Sequence, residues 1–195
     1  MGYVPEQIDQ DILVIRGVYS AQECLELINK AEKSGFQKAF VQTNAGLKLK
    51  PDLRNNDRAK YVDDDLAQEL WDRIGSCIPS LDGEEAVGVD PGFRFYRYKP
   101  GQEFKRHKDG VVQNSLGQKS KVSCLLYLNE DFQGGETVFL HYSGKGENRQ
   151  KHEQIIKPEP GMVLLFRHER WHSGKEVLSG TKYILRTDVF FDKRK

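Results

Sequence analysis

The sequence predicts an α+β fold, in which two N-terminal helices pack on one outer face of a β-barrel or β-sandwich. Helical periodicity is confined to the first part of the chain, at residues 20–34 and 63–74. From residue 93 onward, strand-like runs alternate with segments rich in glycine and proline, which is typical of barrels and sandwiches. These runs lie at residues 93–99, 121–128, 136–142, 154–157, 162–167 and 182–191.

Local signals support the elements of the N-terminal part. Ser20 and Glu23 are spaced as in a capping box, and Gly35 provides an end for the first helix. In the second helix the large apolar residues share one face, namely Leu66, Leu70, Trp71 and Ile74. Residues 11–16 read as a short strand, and the polar stretch 39–61 reads as strand and loop. We therefore predict one domain at residues 1–195, with a helical support region at 1–90 and a β-rich core at 91–192.

Composition and charge exclude several classes of function. A formal net charge of +1 provides no basic field for nucleic acid, and no apolar run is long enough to span a membrane. The N-terminal residues lack the basic-then-apolar pattern of a secretory signal. The three cysteines, Cys24, Cys77 and Cys124, are isolated, which favours free thiols in a reducing compartment. We expect a cytoplasmic protein with neither a nucleic-acid nor a membrane partner, and its oligomeric state stays open.

Three residues of the β-rich part have the chemistry of a metal site. One residue separates His107 from Asp109, so their side chains point the same way from an extended chain. His172 follows the strand predicted at residues 162–167. Two imidazoles and a carboxylate form the facial triad that suits non-haem Fe(II) and leaves positions free for a chelating cosubstrate and O2. Taken alone, His-x-Asp could equally be a surface histidine beside a solvated aspartate.

A second metal motif overlaps the first. His168-Glu-Arg-Trp-His172 matches the H-E-x-x-H signature of zinc peptidases. That chemistry needs both histidines on one face of a helix. The segment here follows a strand-like run and precedes Ser173-Gly174 and a stretch of period-two residues, so no helix of useful length fits. On this interpretation His168 is an incidental histidine at a strand end.

The last predicted strand brings cations to the interior. Period-two alternation puts Lys182, Arg186 and Asp188 on one face and Leu185 and Val189 on the other. A buried cation is costly unless it meets an anion. An oxygenase that uses 2-oxoglutarate needs such a cation for the distal carboxylate, so Lys182 and Arg186 are both candidate anchors. The alternative is an edge strand on which both cations face solvent.

Tyrosines on neighbouring strands are further candidates. Tyr127 shares a face with Ser123 and can offer its phenol to the same carboxylate. Arg94, Tyr96 and Tyr98 share a face on the strand that leads to His107. Ordinary half-buried strand aromatics are the alternative for these tyrosines.

Taken together, the motifs resemble those of 2-oxoglutarate oxygenases of the prolyl 4-hydroxylase type. Their order and spacing match over residues 93–191, about half of the chain. The matching stretches are Tyr98-Lys-Pro-Gly, His107-Lys-Asp109, the run from Val122 to Asp131, Gly134-Gly-Glu-Thr137, the run from Pro160 to Phe166, His172 and Gly180-Thr-Lys182-Tyr.

The resemblance implies a double-stranded β-helix (jelly-roll) catalytic core at residues 91–192, with the N-terminal helices on its outer face. It also implies a dioxygenase that consumes Fe(II)-activated O2 and 2-oxoglutarate, releases succinate and CO2, and has ascorbate as a candidate reductant. By position, the implied iron ligands and catalytic residues are His107, Asp109 and His172. The implied 2-oxoglutarate residues are Lys182, Tyr127 and Tyr98.

Some features depart from the collagen-modifying members. We expect neither their signal peptide nor their disulfides here, and Arg94 and Arg186 are predicted to make the interior more cationic than a pocket for a proline ring needs. Residues 54–58 are polar where peptide hydroxylases carry substrate-contacting loops, although a solvated turn is the alternative. Candidate substrate residues are therefore Arg58, Arg94 and Tyr96, and the substrate stays open between a peptidyl or amino-acid side chain and a polar small molecule. The rival from another class is a non-catalytic, cupin-like module that binds metal or a small acid.

Overall fold

β-Strands make up most of the structure, a computed structural model that describes residues 3–43, 46–144 and 146–193. Two α-helices are present in these ranges, α1 (Ala21–Ser34) and α2 (Asp64–Ile74). The strands are β1 (Pro5–Asp9), β2 (Ile12–Ile15), β3 (Gln37–Lys38), β4 (Val41–Thr43), β5 (Gly46–Lys48), β6 (Asp57–Val62), β7 (Glu84–Val89), β8 (Gly92–Tyr98), β9 (Phe104–His107), β10 (Lys119–Tyr127), β11 (Phe132–Gly134), β12 (Thr137–Ser143), β13 (Gln150–Ile156), β14 (Val163–Arg167), β15 (His172–Gly174), β16 (Val177–Gly180) and β17 (Lys182–Lys193).

The described strands form two main sheets. The larger has the order β1-β2-β14-β10-β17-β8-β6-β3, with β7 also paired to β17. The smaller has the order β13-β12-β15-β9, and β11-β16 and β4-β5 form two further pairs. An apolar cluster joins the two sheets, since Leu125, Phe166 and Ile184 of the larger sheet share it with Phe139 and Ile156 of the smaller. The cluster and the metal-site candidates therefore lie between two layers of strands.

A second apolar cluster covers the other face of the larger sheet. It contains Leu27 of α1 and Leu70 of α2 together with the strand residues Phe95, Leu126 and Leu185. Strand β17 contributes to both clusters by alternation: Leu185 belongs to the helix-containing cluster, and its neighbour Ile184 belongs to the cluster between the sheets. Each buried face of the sheet thus has its own core.

The sequence located both helices and the long strands. α1 has the predicted capping box and ends before Gly35, and Asp63 caps α2 by accepting a hydrogen bond from the Leu66 N–H. The sequence analysis missed β1, β7, β9, β11, β15 and β16. Of these, β9 and β15 have only four and three residues and no apolar alternation. β13 begins earlier than predicted. Residues 150–153 are polar and give no strand pattern in the sequence, but they pair with β12 as a largely exposed part of the strand.

Two further observations concern the chain as a whole. The three cysteines are free thiols, as predicted. Within the described ranges, neither helix combines the length and the apolar character needed to cross a bilayer.

The capping box of α1 provides a test of the helix assignment. The Ser20 hydroxyl accepts a hydrogen bond from the Glu23 N–H at 3.2 Å, and the Glu23 carboxylate accepts one from the Ser20 N–H at 2.6 Å. We expect Ser20→Ala to lower the free energy of unfolding by about 1 kcal/mol in urea denaturation. Ser34→Ala, at the exposed other end of the helix, is the control, with an expected change below about 0.5 kcal/mol. Equal losses in the two variants would contradict the capping role.

Candidate functional site

Strand pairing brings the two predicted histidines together. His107 at the end of β9 and His172 at the start of β15 are direct cross-strand partners, and their ring centroids are 4.2 Å apart. Asp109 follows β9, where its N–H donates to the His168 carbonyl at 3.1 Å. Its carboxylate oxygens lie 3.7 Å from His107 Nε2 and 3.6 Å from His172 Nε2. One donor atom from each residue fits within 4.8 Å of the others, so these side chains form a cluster that could hold a metal ion.

Hydrogen bonds set the orientation of both imidazoles. His107 Nδ1 lies 2.8 Å from the Lys105 carbonyl, and His172 Nδ1 lies 2.9 Å from the Arg170 carbonyl. Because a carbonyl only accepts, the network assigns the proton to Nδ1 in both rings and leaves the Nε2 lone pairs facing Asp109. Backbone carbonyls commonly fix metal-binding histidines in this way.

The protonation states also suit a metal. Burial, and then the neighbouring His172, lowers the pKa of His107 to about 3. Burial likewise lowers the pKa of His172. Burial alone would raise the pKa of Asp109, but Arg186 and the two imidazoles outweigh it and lower that pKa. At neutral pH the cluster therefore presents two neutral imidazoles and one carboxylate, the forms that bind divalent metals.

A chain of hydrogen bonds behind Asp109 holds its carboxylate. Ser123 donates to Asp109 at 2.6 Å, and His168 Nδ1 lies 2.9 Å from the Ser123 hydroxyl. His168 Nε2 lies 2.9 Å from the hydroxyl of Ser120, which accepts from the Val112 N–H. The prediction that His168 is incidental is wrong: it is 2% exposed and bonded through both ring nitrogens. Neither a strand-end position nor the H-E-x-x-H match could reveal this role.

The zinc-peptidase geometry is absent from this part of the chain. Residues 168–170 form a turn, and His172 begins a strand, so the two histidines do not share a helix face. His168 points to the serines of β10, whereas His172 points to Asp109.

Arg186 is committed to carboxylates. Its guanidinium lies 3.2 Å from Asp109 and 3.0 Å from Asp188, and Asp188 also forms an ion pair with Arg94. Burial opposes the charge on Arg186, but Tyr96 and the two carboxylates raise its pKa. Arg186 lines the same cavity as the metal cluster, yet its charge is already balanced.

Lys182 lies in the same cavity without an ion-pair partner. It is 2% exposed, its ammonium donates to the Gly135 carbonyl, and no carboxylate of the described residues is within 4.0 Å of it. The ring centroids of Tyr98 and Tyr127 are 5.6 Å and 5.4 Å from its Nζ. Burial lowers the pKa of Lys182 to about 7, against the opposing influence of Glu136.

The predicted tyrosines take different positions around this lysine. Tyr98 lines the cavity, and burial raises its pKa to about 12. Tyr127 is fully buried, and its hydroxyl lies 2.6 Å from the Thr137 hydroxyl, which does line the cavity. Thr137 was not predicted, because its motif stretch gave no reason to prefer it over Glu136.

The candidate substrate residues line a wider groove that opens over His107 and Asp109. Arg58, Arg94 and Tyr96 all contribute to its wall. The alternative of a solvated turn at residues 54–58 is wrong, because Arg54 and Asn56 are 6% and 0% exposed and residues from Asp57 onward form β6.

Removing one imidazole should test the metal cluster. We expect His172→Ala to weaken binding of Fe(II) or Mn(II) by about 100-fold or more, since it removes one of three ligands. His141→Ala removes an exposed histidine of β12 and should leave affinity unchanged. Calorimetric titration with the metal ion under anaerobic conditions measures the affinity of both variants. Retention of tight binding by His172→Ala would exclude this cluster as the metal site.

Sequence comparisons identify known proteins to which this chain is similar. Residues 93–187 match the family model described as the 2OG-Fe(II) oxygenase superfamily. The chain is 27% identical over 198 aligned residues to Prolyl 4-hydroxylase 1 of Arabidopsis thaliana, and the match covers 88% of this chain and 66% of that protein. It is 24% identical to Probable prolyl 4-hydroxylase 7 of the same plant, over 85% of this chain and 56% of that protein. The chain therefore spans less than two thirds of the length of these relatives.

Solved structures agree at the level of the fold. A Trichoplax adhaerens prolyl hydroxylase, solved with a peptide fragment of the hypoxia inducible factor oxygen degradation domain, superposes with a TM-score of 0.69 at 20% identity, over 92% of this chain and 83% of that one. A Pseudomonas putida prolyl-4-hydroxylase has a TM-score of 0.63 at 18% identity, over 95% and 94%. The mostly β architecture is thus the jelly-roll fold of 2-oxoglutarate oxygenases. The matching family model and the prolyl 4-hydroxylase relatives together support a 2OG-Fe(II) oxygenase of the prolyl 4-hydroxylase type.

Proposed function

We propose that this chain is an Fe(II)- and 2-oxoglutarate-dependent dioxygenase that hydroxylates a C–H bond and releases succinate and CO2. One observation carries the proposal: the His107, Asp109 and His172 cluster and the buried ammonium of Lys182 line a single cavity. A metal site alone would not need a second, unpaired cation at that depth. A dicarboxylic cosubstrate explains both, because one end chelates the metal and the other neutralises the lysine.

The donor set fits Fe(II). Two neutral imidazole nitrogens and one carboxylate are the ligands of the facial triad, and their orientation is fixed before any metal binds. Bound Fe(II) would supply O2 activation, at coordination positions that the three residues leave free. In this proposal His107, Asp109 and His172 are the metal ligands, and Ser123 and His168 hold the carboxylate in place.

Lys182 would bind the distal carboxylate of 2-oxoglutarate. Thr137 would add a hydroxyl, with Tyr127 orienting it through their shared hydrogen bond, and Tyr98 would line one side. The cavity is narrow, about 30 Å³, so cosubstrate entry requires the surrounding side chains to shift. Arg186 is the weaker anchor candidate because Asp109 and Asp188 already balance its charge. Arg186 would instead stabilise the ionised form of Asp109.

The rest of the chain would support this core. We propose that residues 1–195 act as one domain, with the helices of residues 1–90 packed on the outer face of the larger sheet. Shared membership of α1, α2 and β17 in one apolar cluster supports this arrangement. Free cysteines agree with a reducing, cytoplasmic location, and ascorbate stays a predicted reductant.

The experiment that tests the activity is cosubstrate turnover. Anaerobic addition of Fe(II) and 2-oxoglutarate should give a weak visible absorption band, and admission of O2 should then produce succinate. A cupin-like binding module would bind metal or acid without forming succinate. Absence of succinate in the metal-loaded protein would therefore favour the binding module.

Replacement of Lys182 should separate cosubstrate binding from metal binding. We expect Lys182→Ala to raise the Kd for 2-oxoglutarate by about tenfold or more, because a charge-assisted hydrogen bond is lost. Mn(II) affinity should stay near that of the unaltered protein. Lys175→Ala removes an exposed lysine just after β15 and serves as the control. If 2-oxoglutarate binds the Lys182→Ala protein normally, Arg186 becomes the anchor to test.

The lowered pKa of Lys182 predicts a pH dependence for cosubstrate binding. Its pKa is about 7 in the free protein, and an adjacent carboxylate would raise it. Below about pH 7 the lysine is already charged, so the Kd for 2-oxoglutarate should be flat. Above that pH, binding must take up a proton, so the Kd should rise by up to about tenfold per pH unit.

The arginine variant is the control for this pH profile. Calorimetric titrations of Lys182→Arg between about pH 6 and pH 9 should lack the slope, because a guanidinium does not titrate there. A flat profile in the unaltered protein would show that Lys182 is charged throughout or is not the anchor.

A further inference from the structure

The groove above the metal cluster is strongly cationic. It has a volume of about 580 Å³, and its lining includes His107 and Asp109. Four arginines share its wall, Arg54, Arg58, Arg94 and Arg186, and Asp109 is the one carboxylate among its described lining residues. The positive charge of the four arginines therefore exceeds the negative charge of the one carboxylate in this wall.

Two of the four arginines have carboxylate partners. Arg94 pairs with Asp188, and Arg186 pairs with Asp188 and Asp109. Within the described ranges, no carboxylate lies within 4.0 Å of Arg54 or Arg58. The remaining two guanidinium groups therefore face the groove without a counter-ion.

Arg54 is held rigidly in this unpaired state. It is 6% exposed, its Nε donates to Asn56 at 2.6 Å, and its Nη2 is buried without a hydrogen-bond partner. Its guanidinium carbon lies 4.2 Å from the ring centroid of Tyr96 and 4.4 Å from that of Phe104. A buried, unsatisfied cationic donor is costly, and it is common where a ligand supplies the missing acceptor.

The neighbouring groups give only partial compensation. Burial, together with Arg54, Arg94 and Arg186, lowers the pKa of Arg58. Burial alone would raise the pKa of Tyr96, but Arg186, Arg54 and Arg94 outweigh it and bring that pKa to about 7. The lowered pKa of this phenol reflects the excess of positive charge around it.

Given the function proposed above, we infer that the substrate carries an anionic oxyacid group, a carboxylate or a phosphate, which binds between Arg54 and Arg58. Guanidinium forks match the geometry of both anions and bind them through paired N–H donors. Since the same groove is lined by His107 and Asp109, an anion at the two arginines would leave the rest of the substrate over the metal. A neutral prolyl ring would leave these arginines unpaired.

Matched compound pairs test the charge requirement. Succinate formed above the rate without substrate is measured for the α-amide of N-acetyl-L-aspartate against the α-amide of N-acetyl-L-asparagine, for glycerol 3-phosphate against glycerol, and for a neutral proline-rich peptide. We expect the anion of a pair to stimulate turnover and its neutral partner not to do so. Greater stimulation by a neutral compound or by the peptide would overturn the inference.

Variants of one strand test the residue assignment. Arg58→Gln should raise the KM of a stimulating anion by about tenfold or more, and Arg58→Lys should recover part of that loss. Lys60→Gln is the matched control, because Lys60 is an exposed cation two residues further along β6, outside the groove wall. Mn(II) binding reports that each variant is folded. Equal KM values for Arg58→Gln and Lys60→Gln would overturn the inference.

If no compound stimulates turnover, a binding measurement tests the inference. Inorganic phosphate is titrated, at constant ionic strength set by chloride, into protein loaded with Mn(II) and N-oxalylglycine, a 2-oxoglutarate mimic. Phosphate should raise the Tm of the unaltered protein and of Lys60→Gln more than that of Arg58→Gln, and equal shifts would overturn the inference. Succinate formation without substrate is read separately, so loss of that activity would refute the dioxygenase without being mistaken for failure of the anion site.

Discussion

The antiparallel pairing of β9 with β15 is the constraint on which the site depends. These strands are short, and β9 is the edge strand of its sheet and pairs there with β15. Their register sets His107 opposite His172, and residues after β9 carry Asp109 back toward both rings. A slip of one residue would turn one imidazole to the other face of the sheet. The smaller sheet, β12 included, holds this register by pairing with β15 on its other side.

Buried charge organises the space around that pairing. The side chains of Asp109 and Asp188 are buried, and Arg186 lies within ion-pair distance of both, so these groups neutralise one another at short range. Ser123 donates a hydrogen bond to Asp109 and is itself bonded to His168, whereas Arg186 Nε is buried without a hydrogen-bond partner. Short-range partners of this kind are what make buried charge tolerable. Against this background, the charges that stay unpaired, Lys182 and Arg54, mark where ligands would complete the structure.

The two unpaired regions line different cavities, and His107 and Asp109 contribute to both. Lys182 is enclosed by tyrosine rings and lines a narrow cavity, whereas Arg54 lines a wide groove. This separation fits one site for a cosubstrate with a fixed structure and another for a larger substrate.

The sequence by itself determined a large part of this account. Helix caps, the period-two alternation of β17 and the spacing of His107, Asp109 and His172 are local or pairwise signals, and each is readable from residue type and order. Alternation placed Lys182 and Arg186 in the interior because strand geometry fixes side-chain direction.

Tertiary structure alone decided how the interior charges pair. Arg186 and Lys182 look equivalent along one strand, yet carboxylates from β17 and the segment after β9 neutralise only Arg186. The sequence did not reveal the roles of His168 and Arg54, because these roles come from residues far away along the chain, Ser120 and Tyr96 among them. Electrostatic and hydrogen-bond energies depend on distances of a few ångströms between distant segments, and only the folded chain sets those distances.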